Sequence, residues 1–248
     1  MFNPYSILTS LTESSLDNYW FQTGTPTFLI KLLQKNNYDL ESVTRPTLNA
    51  LDLGSFELDN IPLSSLLLQT GYLTIKSFDQ KTNNYTLGIP NKEVNNSFTR
   101  QLVNAFTMLP IDKSIQYARL ITHAFSQNDM SQLQEKLQEF FNRMHYTAHI
   151  DSEHNLQFVL YAIFALIGVA VDPEVATSLG RADLIVSFKK LIYIIELKFN
   201  QTAKKALQQI QDKQYYEKYE NTGKQITLIG LGFNQKTKRI LLESKKVK

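Results

Sequence analysis

Two apolar runs separated by two lysines constrain the fold of this chain most. In "RADLIVSFKKLIYIIELKFN", residues 181–200, the runs on either side of Lys189–Lys190 have the length and β-branched content of buried strands. A two-residue loop at Lys189–Lys190 makes them a hairpin in which Phe188 faces Leu191, and the same register sets Asp183 opposite Glu196. Directly paired residues share a face with Cβ atoms about 4.5–5.5 Å apart. Lys198, two residues beyond Glu196, falls on that face as well. Lys-Lys is a poor two-residue turn sequence, so turn chemistry alone leaves the register open to a slip. As it stands, the hairpin brings two carboxylates together. Like charges opposite each other are destabilising unless something positive lies between them. A divalent cation meets that need, since Mg²⁺ takes one or two carboxylates and keeps several waters. It can activate water and polarise a phosphodiester oxygen, and Lys198 can orient or help deprotonate that water and offset transition-state charge.

The chain has 248 residues, enough for one large or two small domains. It contains no cysteine, which excludes disulfides, thiolate zinc sites and cysteine nucleophiles. The longest apolar run, "LQFVLYAIFALIGVAV", is shorter than a bilayer span requires, and no secretion signal is seen at the start, so a cytoplasmic protein is expected. Net charge is +3, unevenly spread. Residues 181–248 carry +9 and residues 1–180 carry −6, which points the C-terminal part toward an anionic partner.

Upstream, "TPTFLIKLLQKNN" reads as a helix with Thr25 as N-cap, Pro26 at the first position, and Leu29, Leu32 and Leu33 on one face. "GYLTIKSFD" and "NYTLGIP" read as a hairpin around "QKTNN", and residues 112–145 as amphipathic helices. That order predicts a mostly helical, winged-helix-like region over 1–150, with a boundary near Tyr146–Asp151. From 151 to 248 the order is helix, three strands, helix, strand, or αβββαβ: an α/β domain in an α+β chain, its last two strands parallel. His145 and His149 have i, i+4 spacing without the intervening Glu of a zinc protease, which assigns them structural roles. Tyr215, Tyr216 and Tyr219 pack the last helix on the sheet, with base stacking as the lesser alternative. Gly230 and Gly232 permit close packing or a bend at the strand end.

These residues resemble the PD-(D/E)XK nuclease superfamily, with its restriction-endonuclease-like αβββαβ core. Asp183 matches the core Asp, and Glu196-Leu197-Lys198 matches the (D/E)-X-K element. By the same resemblance Glu153, in "SEHNLQF", is the first-helix acid; its stripe with Leu156, Leu160 and Ile163 aims it inward. "QI…K…Y" in "ALQQIQDKQYYEKY" is similar to bacterial proteins that carry an AAA-ATPase-like domain ahead of such a nuclease. That similarity makes Gln209 an auxiliary site residue. No G-x-x-x-x-G-K-[ST] loop occurs in these residues, so the likeness covers the part downstream of the ATPase. The resemblance implies a nuclease dependent on Mg²⁺, with Mn²⁺ as substitute, acting on nucleic acid and on DNA before RNA. Asp183 and Glu196 would hold the metal, and Lys204, Lys205, Lys213 and Tyr215 would contact nucleic acid. A homodimer and a protein partner for residues 1–150 are compatible with it. The alternative is an inactive nuclease-fold module that binds nucleic acid or protein.

Overall fold

The computed structural model describes residues 4–15, 27–35, 38, 40–49, 62–144, 150–177 and 180–247. Thr25, Pro26, His145 and His149 lie outside the described residues. The chain forms two compact units, Met1–Gln101 and Leu102–Lys248. The first holds helices α1 (Pro4–Glu13), α2 (Thr27–Lys35) and α3 (Leu40–Thr44), strand β1 (Thr47–Asn49), helix α4 (Leu63–Gln69) and strands β2 (Thr74–Asp79) and β3 (Asn84–Gly88). Its antiparallel sheet has the order β1-β3-β2. The expected β2–β3 hairpin is present. Asp79 closes it by accepting from Lys81 N and Thr82 Oγ1, and Asn83 takes a left-handed φ of 55°.

The boundary between units falls within helix α5 (Lys92–Thr107), not near Tyr146–Asp151. Helices α6 (Ile111–Ser126) and α7 (Met130–Arg143) therefore belong with the C-terminal sheet rather than with the first unit. The reason is packing. Their apolar faces are buried on that sheet, with Phe125 against Tyr193 and Phe141 against Phe233 at ring separations of 4.8 and 4.9 Å.

Unit 2 continues with α8 (Glu153–Leu166), β4 (Ala170–Thr177), β5 (Gly180–Ser187), β6 (Leu191–Phe199), α9 (Ala203–Asp212), β7 (Gln225–Asn234) and β8 (Arg239–Lys246). This is the expected αβββαβ order with one further strand. The sheet runs β4-β5-β6-β7-β8, antiparallel except for the parallel pair β6–β7. Ser152 caps α8 by accepting from Asn155 N, and Asp129 and Thr202 cap α7 and α9 in the same way. α8 is buried from Asn155 to Ala165, as its apolar run requires. No helix among the described residues is long and apolar enough to cross a membrane.

Strand alternation splits the core. Tyr193 and Phe233 point to the layer of α6, α7 and α8, while Ile192, Ile194, Ile226 and Leu228 pack under α9 with Ile210 and Tyr215. Strand β8, whose "RILL" alternation follows a polar turn, was not among the expected elements. Its outer edge is covered by α7: Ile240 N and Leu242 N donate to Gln138 Oε1 and Gln134 Oε1, both at 2.9 Å.

Glycine fixes how closely α9 lies on the sheet. A Cβ at Gly230 would sit 2.2 Å from Ala203 O and 2.5 Å from Leu207 N, and one at Gly232 2.6 Å from Ala203 N. Close packing, not a bend, is what these glycines supply. Gly230→Ala is expected to push α9 off the sheet and lower unfolding free energy by about 1–3 kcal/mol in urea denaturation. A loss below about 0.5 kcal/mol, the range of a neutral surface change, would refute the contact.

Candidate active site

The hairpin register is the one expected. Leu184 pairs with Ile195, Ile185 with Ile194, and Phe188 N donates to Leu191 O across the Lys189–Lys190 loop. The ladder stops at Leu184–Ile195, one pair short of Asp183 and Glu196. Beyond that point β6 turns its N–H groups to carboxylates. Asp183 Oδ2 accepts from Leu197 N at 2.7 Å, and Glu153 Oε2 accepts from Phe199 N at 3.1 Å. The two strands part at their ends, and the gap is lined with acid side chains.

Lys198 joins the group. Its Nζ lies 3.1 Å from Glu153 Oε1 and 3.1 Å from Glu196 Oε1. Side-chain exposure falls from 36% at Glu153 through 11% at Lys198 to 2% at Glu196, so the cluster runs from solvent into the interior. Glu196 Oε2 is buried with no hydrogen-bond partner. Burial first, and then the Asp183 carboxylate, raise the Glu196 pKa to about 8, with Lys198 opposing both. Burial alone pushes the Lys198 pKa down, but Glu196 and Glu153 together outweigh it and hold the ammonium above its ordinary value.

These residues fit a cation. The orphaned Glu196 oxygen and the neighbouring Asp183 carboxylate are hard oxygen donors of the kind a divalent cation takes. Among the described residues no three His, Cys, Asp or Glu side chains form a metal cage. A cation bound here would have Asp183 and Glu196 as its carboxylate ligands, the number Mg²⁺ commonly takes.

Helix α8 does more than carry Glu153. One turn on, buried Gln157 donates from Nε2 to Asp183 O at 2.8 Å and fixes the backbone behind that carboxylate. Sequence reasoning missed Gln157, and its i+4 spacing from Glu153 was the available signal. Gln209 donates from Nε2 to Tyr215 Oη at 3.4 Å. Tyr215 needs correction as a nucleic-acid contact. It is 2% exposed within the core under α9, so its ring has no free face for a base. Tyr216 and Tyr219 pack against that core too. Lys204, Lys205 and Lys213 are exposed.

A five-stranded mixed sheet between helical layers thus carries acids and a lysine where β5 and β6 part. Residues 151–243 match the family model of the PD-(D/E)XK nuclease superfamily. Over 250 residues the chain is 31% identical to "Uncharacterized protein in vnfD 5'region" from Azotobacter chroococcum mcd 1. The match takes in 97% of this chain and 48% of that protein, so the chain spans about half the length of the relative. No solved structure matches.

The raised Glu196 pKa has a consequence for stability. The carboxyl holds its proton more tightly in the fold than in the unfolded chain. Its contribution is fully present below the ordinary carboxyl value of 4.5 and is lost as pH rises through about 8. In EDTA, Glu196→Gln should therefore melt with a shallower decline than wild type between pH 5 and 8.5. Identical pH slopes in thermal unfolding would show that the buried carboxyl is not strained.

Proposed function

We propose that unit 2 is a divalent-metal-dependent nuclease that hydrolyses phosphodiester bonds in nucleic acid, with DNA the favoured substrate. The orphaned, buried Glu196 Oε2 beside Asp183 carries this reading, because a buried carboxylate oxygen without a donor costs the fold stability and suits a metal site. Mg²⁺ or Mn²⁺ between Asp183 and Glu196 would polarise the scissile phosphate and make water easier to deprotonate.

The chain's own groups do the rest. Lys198, its pKa raised by its two carboxylate neighbours, keeps its proton at neutral pH and is a poor general base. Its work is electrostatic: the ammonium orients the attacking water and offsets charge that develops on the phosphoryl oxygens. Glu153 positions Lys198 through Oε1 and fixes the end of β6 through Oε2. Gln157 keeps Asp183 in register. Lys204 and Lys205, exposed on the first turn of α9, supply phosphate contacts beside the site, and Lys213 supplies one at the far end of that helix.

Incubation with plasmid and single-stranded DNA tests the reading. Cleavage is expected with Mg²⁺ or Mn²⁺ and none with EDTA. Lys198→Ala should lower the rate by about 10²–10³ while DNA affinity is largely kept. Asp183→Ala should lose calorimetric binding of the metal. A wild-type protein that binds nucleic acid but never cuts it with either metal would make this a binding module instead.

A further inference from the structure

The positive charge of residues 181–248 gathers at both ends of the five-stranded sheet, yet only one end holds the carboxylates. Strand direction settles which lysines lie where. β6 and β7 run in parallel from the pair Leu191–Gln225 to the pair Phe199–Phe233, and Glu196 and Lys198 belong to the second end. At the first end stand Lys189 and Lys190, exposed on the hairpin tip. Gln225 N donates to Lys190 O at 3.0 Å, which brings Lys224 alongside. β8 returns antiparallel and sets Lys245 opposite Leu228 and Lys246 opposite Thr227. Lys245 and Lys246 are exposed and Lys224 is half-buried.

Among the described residues none of these five ammonium groups forms an ion pair. Glu220, in the 3-10 turn Glu217–Thr222, is an exposed acid close by in the chain. Unpaired like charges at this density repel and weaken the fold. Part of the cluster has a structural use: lysines at the end of β8, beyond the Ile240–Leu242 stretch bonded to α7, keep other strands off the edge. That does not account for the hairpin tip. Tight hairpins favour Asn-Gly at left-handed φ, and neither Lys189 nor Lys190 adopts it, so the pair adds nothing to the turn. A residue choice that breaks a local rule without structural gain marks a functional position.

We infer that this end of the sheet is a second contact for the phosphate backbone of the nucleic-acid substrate, remote from the site of cleavage. The inference rests on the nuclease reading of unit 2 and adds a length requirement to it. Seven residues separate Leu191 from Lys198, about 23 Å at ~3.3 Å per residue. At 3.4 Å per base pair that is about 7 base pairs. A duplex shorter than this reaches the carboxylates or the lysines, not both.

The test is the full chain with Lys189, Lys190, Lys245 and Lys246 all changed to alanine, its fold checked by circular dichroism and melting. Binding of a 20-base-pair duplex is measured in EDTA across a salt series, and cleavage of that duplex and of a 6-base-pair hairpin is measured with Mg²⁺. Lost phosphate contacts should flatten the slope of log K against log salt by about 0.9 each, or about 3–4 in total. KM for the long duplex should rise about tenfold or more at unchanged kcat, and the short hairpin should be cut as by wild type, the pattern of lost uniform binding. Unchanged affinity and slope on the long duplex would overturn the inference. Equal KM increases on both lengths would overturn it too, since a diffuse field rather than a distant contact would then be at work. Wild type that cuts neither substrate would sink the nuclease reading, while the binding series in EDTA would still decide this one.

Discussion

The β5–β6 ladder ends where continuing it would place two carboxylates face to face, and the arrangement of the site follows from that stop. Past Leu184–Ile195, the N–H groups of Leu197 and Phe199 are taken by Asp183 and Glu153. A backbone N–H left unpaired in the interior costs about as much as a lost hydrogen bond, so each carboxylate is held where a strand would otherwise have been. Charge-assisted bonds to backbone N–H groups are stronger than neutral ones, and they fix Asp183 and Glu153 to the frame of β6. Glu196 has no such anchor. It is buried with Lys198 on one oxygen and nothing on the other, and a charge in that position is costly unless compensated.

The sheet around this gap is built stiff. Gly230 and Gly232 pair directly with Glu196 and Lys198 across the parallel ladder, and they let α9 rest on the β7 backbone beside those residues. On the other side α8 ties itself to both strands at once, through Glu153 to β6 and Gln157 to β5. Both ties come from one helix, so the separation of Asp183 and Glu153 depends on its placement rather than on two loops. A site supported on helices and strands keeps its geometry better than one on loops.

Much of this was legible in the residues. The apolar runs of 181–200 have one register that buries both faces, and a one-residue slip would have turned Asp183 and Glu196 to opposite sides, so the pairing survived an unfavourable turn sequence. The inward aim of Glu153 followed from its helical stripe. The boundary between units did not, because the periodicity of α6 and α7 says that each has an apolar face but not which sheet receives it. The edge-capping roles of Gln134 and Gln138 were hidden for a related reason: glutamines on a helix read as solvated until a strand is placed beside them. Tyr215 was ambiguous because an aromatic that packs and one that stacks on a base look alike in sequence, and only its burial under α9 separates them.

The charge balance within the cluster explains why three ionisable groups are tied to one another. Lys198 is shared between a nearly inaccessible carboxylate and one that meets solvent. With Glu196 alone, the ammonium would be committed to the interior and unable to face a phosphate. With Glu153 alone, it would be as mobile as a surface lysine, whose ion pairs contribute little. Held by both, it stays charged at the boundary between the buried acids and solvent, which is where the proposed nuclease function needs it. Glu153 in turn is fixed by Phe199 N, so the lysine is referred through a carboxylate to the backbone of its own strand. An electrostatic stabiliser is effective in proportion to how little it must reorganise when charge develops. The tie from Lys198 through Glu153 to β6 is the part of this site that limits that reorganisation.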